Sequence, residues 1–266
     1  MTAATAALTD PDAMIDSLAA SHALLDRLDT TGLTAPTRLP GWSVAQVLSH
    51  LGSGAEIGTV LVGRALDGAT DTVDRHVMTG IWDRWNAMTP QEQADGRREQ
   101  DARHLALLQG LTPGQRQHLR VPYFVGPLDV AEYTGYRLSE HAVHTWDVAV
   151  ALDPSARLAP GTAAVLWARL GLIAGRFHAA DVRVRLAPAD VTLRPTDGAP
   201  EATLVIRPDT VALVDGDHGT AQVRGTVDAL VRLCYGRLDP ELRDDDRLDV
   251  TAGVSRADLT DLFPGY

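Results

Sequence analysis

A helical stretch carries four ionisable groups among apolar neighbours. In LSEHAVHTWDVAVAL, residues 138–152, Glu140, His144 and Asp147 stand at i, i+4 and i+7, on one face of a helix that turns every 3.6 residues. His141 lies about 100° round the wheel from Glu140. A further histidine, His50, falls beside Val47 and Leu51 on the inward side of WSVAQVLSHL. Two imidazoles and a carboxylate are a donor set that zinc takes when it keeps a fourth position open for chemistry; closed structural sites usually employ cysteines. Asp147, one turn beyond His144, would orient a ligating imidazole or face a substrate. The spacing alone also fits satisfied core histidines and an ordinary i, i+4 contact between Glu140 and His144.

Long helices must position these groups. The stretch 10–29 offers Asp10 as a cap, Pro11 at the first helical position, and Met14, Leu18, Leu24, Leu25 and Leu28 on one broad face. LTAPTRLPGW breaks the pattern, and 42–68 restarts it with Ser43 as cap and Val44, Val47, Leu48 and Leu51 inward. A third helix, 89–111, begins on Thr-Pro and stops near Gly110 and Pro113; RVPYFVGPLDV is a turn-rich connection; a fourth helix spans about 128–152. Such helices make a bundle whose core positions suit metal ligands.

Beyond Pro154 the pattern changes. One helix over 161–180 precedes short alternating runs, VRVRL, VTLRP, ATLVIRP, TVALVDGD and AQVRGT, which read as strands. Helices in TVDALVRLCYGRL and SRADLTDLF follow. The expectation is a two-domain α + α/β chain, with a four-helix bundle over 1–153 and a small α+β domain over 154–266.

Composition narrows the function. At roughly 100–200 residues per domain, 266 residues make one or two domains, and 45% hydrophobic residues supply a sizeable core. No apolar run approaches the ~20 residues of a spanning helix, and MTAATAALTDPD lacks a basic segment before an apolar one, so a cytoplasmic protein without membrane partners is expected. A net charge of -11 argues against nucleic acid, which wants a basic stripe. The lone cysteine, Cys234 in DALVRLCYG, reads as a buried inert thiol, so any thiol chemistry needs a thiol from outside. All 24 basic residues are arginine and Asn86 is the sole asparagine, a bias of GC-rich genomes. His22, His76, His104, His118, His178 and His218 read as surface or capping residues, and Trp42 and Trp146 as core beside the site. A monomer or small homo-oligomer is expected.

LPGWSVAQVLSHL (39–51) and SEHAVHTWDVAVAL (139–152), with a smaller module ending in a CYGR helix, resemble the mycothiol-dependent maleylpyruvate isomerase family over essentially the whole chain. The resemblance implies a DinB-like four-helix metalloprotein with an appended sterol-carrier-like domain. It implies zinc, or a similar divalent metal, on His50, Glu140 and His144, an acidic catalytic residue at Asp147, and mycothiol as cosubstrate, which agrees with a GC-rich actinobacterial source. Arg237 matches the family's C-terminal arginine, which the resemblance makes a second catalytic residue, although Tyr235 stands where that pattern has tryptophan. Asn86 lies where members often carry asparagine, as a cofactor contact or a structural turn. Arginine suits carboxylate recognition, so Arg237 and Arg84 are candidates to hold an acidic substrate or the thiol. Zinc makes a bound thiol a thiolate, whose addition to a small electrophile leads to cis-trans isomerisation or S-transfer. Two alternatives stand beside this: a zinc hydrolase with metal-bound water and Asp147 as base, and a non-catalytic metal- or ligand-binding protein.

Overall fold

A computed structural model describes residues 8–238 and 247–265, apart from 29, 31 and 252. Asp29, the last residue of the helix expected over 10–29, and the first seven residues therefore lie outside the described residues. The chain divides into two compact units, Met1–Arg157 and Leu158–Tyr266.

Helix starts in the first unit follow from capping chemistry. In α1, Pro11–Asp26, the Asp10 carboxylate accepts from the Asp12 N–H and Pro11 fills a position that needs no N–H donor. Then come α2, Val44–Leu66, α3, Arg75–Asn86, α4, Pro90–Gln109, and α5, Pro113–His118. A short antiparallel hairpin, β1 Val121–Tyr123 and β2 Gly126–Leu128, leads into α6, Val130–Leu152. Reciprocal caps open α2, α4 and α6: Ser43 with Gln46, Thr89 with Glu92, and Asp129 with Glu132. Each cap residue contributes about 1 kcal/mol by satisfying N–H groups that the first turn leaves unpaired.

These helices close a ring. α2 packs on α4 and α6, and α1 packs on α6 and α4, so α1, α2, α4 and α6 form a four-helix bundle. Leu25, Val44, Val47, Leu48, Leu51, Ala94 and Val148 make one continuous apolar cluster between them. At roughly 1.5–3 kcal/mol for each large aliphatic side chain buried, this cluster holds the start of α2 against the end of α6. The residues flanking His50 and following His144 therefore sit in a stiff part of the molecule. α3, for which the sequence shows no obvious pattern, buries only Met78, Ile81 and Trp85.

The second unit comprises α7 Pro160–Ala168, α8 Leu170–Arg176, α9 Ala180–Leu186, β3 Ala189–Pro195, β4 Ala202–Ile206, β5 Val211–Asp215, β6 Ala221–Gly225, α10 Val227–Cys234, β7 Asp249–Thr251 and α11 Arg256–Leu262. Its sheet runs β5-β4-β3-β6-β7, with β3 parallel to β6 and the other neighbours antiparallel. Two expectations are corrected here. The helix expected over 161–180 is two, breaking at Arg169, because α8 turns to lay Gly171 and Gly175 close against Leu213 and Val211 of β5. VRVRL is part of helix α9 and not a strand: Val182 is buried but Val184 is 56% exposed, as residues about 200° apart on a helix must be. Gly236 ends the turn after α10 at φ +66°, where a Cβ would stand 2.1 Å from the Gly265 nitrogen. No helix among the described residues is long and apolar enough to cross a membrane.

Candidate metal centre

The site is built where α2 and α6 face each other. His50 Nε2 lies 3.3 Å from Glu140 Oε2, and His144 Nε2 lies 3.7 Å from the same oxygen. One ligand atom from each of the three residues falls within 4.8 Å of the others. The two imidazole rings are 4.8 Å apart and nearly perpendicular, at 74°. His50 and Glu140 keep 39% and 26% of their side chains exposed whereas His144 keeps 5%, so the cluster is open on the side of His50 and Glu140.

Electrostatics keep this donor set ready for a cation. Burial opposes ionisation of Glu140, yet the His50 hydrogen bond and the neighbouring His144 hold its pKa at about 2, so it stands as a carboxylate. Burial pushes the His144 pKa down, outweighing the opposite pull of Asp147. A neutral imidazole results, with a lone pair to give. Asp147 Oδ2 lies 2.8 Å from His144 Nδ1 in a fully buried position. A carboxylate there can only accept, so Nδ1 carries the proton and Nε2 is left free to ligate.

The other predicted residues stand on other elements. Arg84 and Asn86 close α3, both exposed, and the Arg84 guanidinium pairs with Glu56 of α2. Trp85 between them is buried and donates to the other Glu56 oxygen at 2.8 Å. Arg237 belongs to the second unit, just after α10, where it is buried and donates to the Tyr235 carbonyl at 2.7 Å. Cys234 is buried, and desolvation pushes its thiol up to about 12, beyond any nucleophilic use. Trp146 is core and donates to the Ala156 carbonyl at 3.1 Å.

Trp42 is not core. It is 36% exposed, stacked within 7° of the His144 ring plane and edge-on to His50, with ring centroids 6.4 and 5.5 Å away. The preceding turn sets it there: Gly41 takes φ +79°, and the Trp42 carbonyl accepts from both the backbone N–H and the hydroxyl of Thr37. An indole thus walls one side of the ligand set.

A second polar cluster lies behind α6, and sequence reasoning missed it. His22 of α1 and His104 of α4, both expected on the surface, are buried, and burial pushes both down to about 3. His141 Nε2 meets Asp101 Oδ2 at 3.3 Å, its Nδ1 meets the Ser21 hydroxyl at 2.8 Å, and its ring lies 4.4 Å from that of His22. His22, Asp101 and His141 also bring one ligand atom each within 4.8 Å, but the Arg97 guanidinium sits 3.2 Å from Asp101 and opposes a cation there. The signal was faint because α4 buries Gln93, Arg97, Asp101 and His104 along one face, a stripe that hydrophobicity does not reveal.

Fold and donor set together define a class: a four-helix-bundle protein built around an inward-facing candidate metal site. Residues 14–149 match the family described as the mycothiol maleylpyruvate isomerase N-terminal domain, and the chain belongs to that family. Among solved structures, the fold resembles the crystal structure of the mycothiol-dependent maleylpyruvate isomerase, with a TM-score of 0.62 and 14% identity over 96% of this chain and 95% of that one. A variant of that enzyme with one histidine replaced by alanine matches with the same values. Comparison with curated proteins finds no match.

Proposed function

We propose that the chain is an enzyme that activates an external low-molecular-weight thiol, mycothiol, as the nucleophile toward a small electrophilic substrate, for thiol-assisted cis-trans isomerisation or S-transfer. The observation that carries this reading is the convergence of His50 Nε2, Glu140 Oε2 and His144 Nε2, with Asp147 on the far nitrogen of His144. Two nitrogens and one carboxylate oxygen, open on one side, fit zinc or a similar divalent cation. Such a cation would deprotonate a coordinating thiol at neutral pH, where a free thiol, of pKa about 8.5, is mostly protonated. The chain's own groups do the rest. Asp147 keeps His144 in one tautomer and one ring direction. Trp42 shields the ligands on one side. Buried Cys234 leaves the protein's own thiol out of competition. Arg237, as a catalytic residue and a cofactor contact, and Arg84 and Asn86, as cofactor contacts, are our candidates for contact with an acidic substrate or the thiol. The family membership and the net charge of -11 favour small-molecule chemistry over nucleic-acid binding, and we expect a cytoplasmic monomer or small homo-oligomer.

A hydrolase would need a base facing bound water. Asp147, the nominated base, is fully buried on His144, which favours the thiol reading.

The test is elemental analysis of protein purified without chelator, wild type beside His144→Ala, followed by turnover of an activated alkene with and without added thiol. About one zinc per chain, lost in the variant, and turnover only with thiol are expected. Failure of added zinc to bind defeats the metal reading; turnover without thiol favours hydrolysis.

A further inference from the structure

α6 carries one more charged side chain on the ligand side, and the donor set does not use it. Arg137 precedes Glu140 by three residues and His144 by seven, so it lies one to two turns away along the same face. It is only 9% exposed, and its Nε is buried without an acceptor. Among the described residues no carboxylate pairs with it.

Its place is set by α2. A Cβ on Gly54 would stand 2.7 Å from one terminal nitrogen of Arg137 and 3.1 Å from the other, so the guanidinium rests on bare helix one turn beyond His50. The groups around it do not cancel its charge. Burial pushes His22 and His104 down to about 3, with the Arg137 charge adding to the effect, so both are uncharged at neutral pH. Burial raises the Tyr133 hydroxyl, which stays protonated. Glu140 feels the same positive charge, and Glu140 belongs to the donor set.

A count of charges gives Arg137 its role. Glu140 and the Asp147 carboxylate behind His144 supply two negative charges, which a divalent cation would offset. With that cation in place, Arg137 leaves the site one positive charge in excess. In an interior of low dielectric an uncompensated charge is strongly unfavourable, and an anion at the open position removes the excess. A neutral ligand there does not.

We infer that Arg137, seated on Gly54 one turn from His50 and Glu140, gives the open position of the donor set its preference for an anionic ligand over a neutral one. Its charge acts across the interior, without contact with the ligand. This deepens the proposed function and rests on it: a thiol takes the position as thiolate because the site has a positive charge to spare.

The test is titration of Co2+-loaded protein with azide, a small anion, and with imidazole, a neutral nitrogen ligand, followed by visible absorption at neutral pH. Wild type should bind both. Arg137→Gln should bind azide roughly tenfold or more weakly and imidazole unchanged, whereas Arg137→Lys, which keeps the charge, should stay close to wild type. Equal azide affinity in wild type and Arg137→Gln, an equal loss for both ligands, or no azide binding by Co2+-loaded wild type overturns the inference. Should Arg137→Gln not fold, Arg137→Met, which removes the charge and leaves no buried polar group, must show the same split; unchanged azide affinity there also overturns it. Protein that takes up no Co2+ defeats the metal reading and this inference together. Turnover without thiol, beside an intact split between azide and imidazole, would remove the thiol reading and keep this role.

Discussion

Asp147 Oδ2 stands 2.8 Å from His144 Nδ1, three residues back on the same helix, and neither side chain is more than 5% exposed. The carboxylate therefore acts through the imidazole. Asp147→Ala should leave α6 helical yet weaken zinc binding by about 10- to 100-fold, as loss of a partner behind a ligand does elsewhere. Competition with a chromophoric chelator measures this, and unchanged affinity would refute the orienting role.

Trp42 offers an optical probe. Its indole lies beside both candidate imidazole ligands, whereas Trp146 is buried core bonded to Ala156. Titration with Co2+, which quenches nearby indoles, should lower tryptophan emission, and Trp42→Phe should abolish most of that loss without changing the stoichiometry. Quenching that persists in the variant would place the metal elsewhere.

Acid should destabilise the fold before the carboxylates titrate. His22 and His104 ordinarily titrate at 6.5 but fall to about 3 here, mainly through burial. Below pH 6.5 the unfolded chain takes up their protons and the folded chain does not, so stability falls with pH until about 3 and is unaffected by them above 6.5. Each histidine contributes at most about 1.4 kcal/mol per pH unit in that window. Asp101, held below the usual carboxylate range against the effect of its burial by His141, His22 and Arg97, contributes stability that is lost only at lower pH. Urea midpoints between about pH 7 and pH 5 should show the decline, with a shallower slope in His104→Gln.

Gly52, two residues after His50, is a contact between helices. A Cβ there would come within 2.2 Å of the Trp85 ring and 2.9 Å of the Arg97 Cα, so α2 cannot keep its distance from α4. Gly52→Ala should cost about 1–3 kcal/mol or more, read as a lowered Tm, and should also loosen zinc by shifting His50.

Cys234 should stay unreactive while the chain is folded. Its thiol is buried and pushed up to about 12, so a disulfide reagent at neutral pH should label it only at the rate of unfolding. Rapid labelling of native protein would contradict that burial.

Much of the bundle was legible because its helices announce themselves locally. Asp10 with Pro11, Ser43 with Gln46 and Thr89 with Glu92 cap where their types predict, and Val44, Val47, Leu48 and Leu51 form a stripe at helical period. The second unit was less legible. In VRVRL the alternation of valine and arginine is a valid strand pattern, yet the segment forms helix α9. A short apolar alternation does not say whether a neighbouring strand will be there to accept it.

What the sequence determined by itself is the face shared by Glu140, His144 and Asp147, because the helical period fixes angles between residues on one element. The meeting of His50 with Glu140, the seat of Arg137 on Gly54, the burial of His22 and His104, and the exposure of Trp42 were decided only by tertiary structure. Each depends on which helix lies opposite and how closely it approaches. Those distances come from packing across the bundle, which no spacing along a single helix encodes.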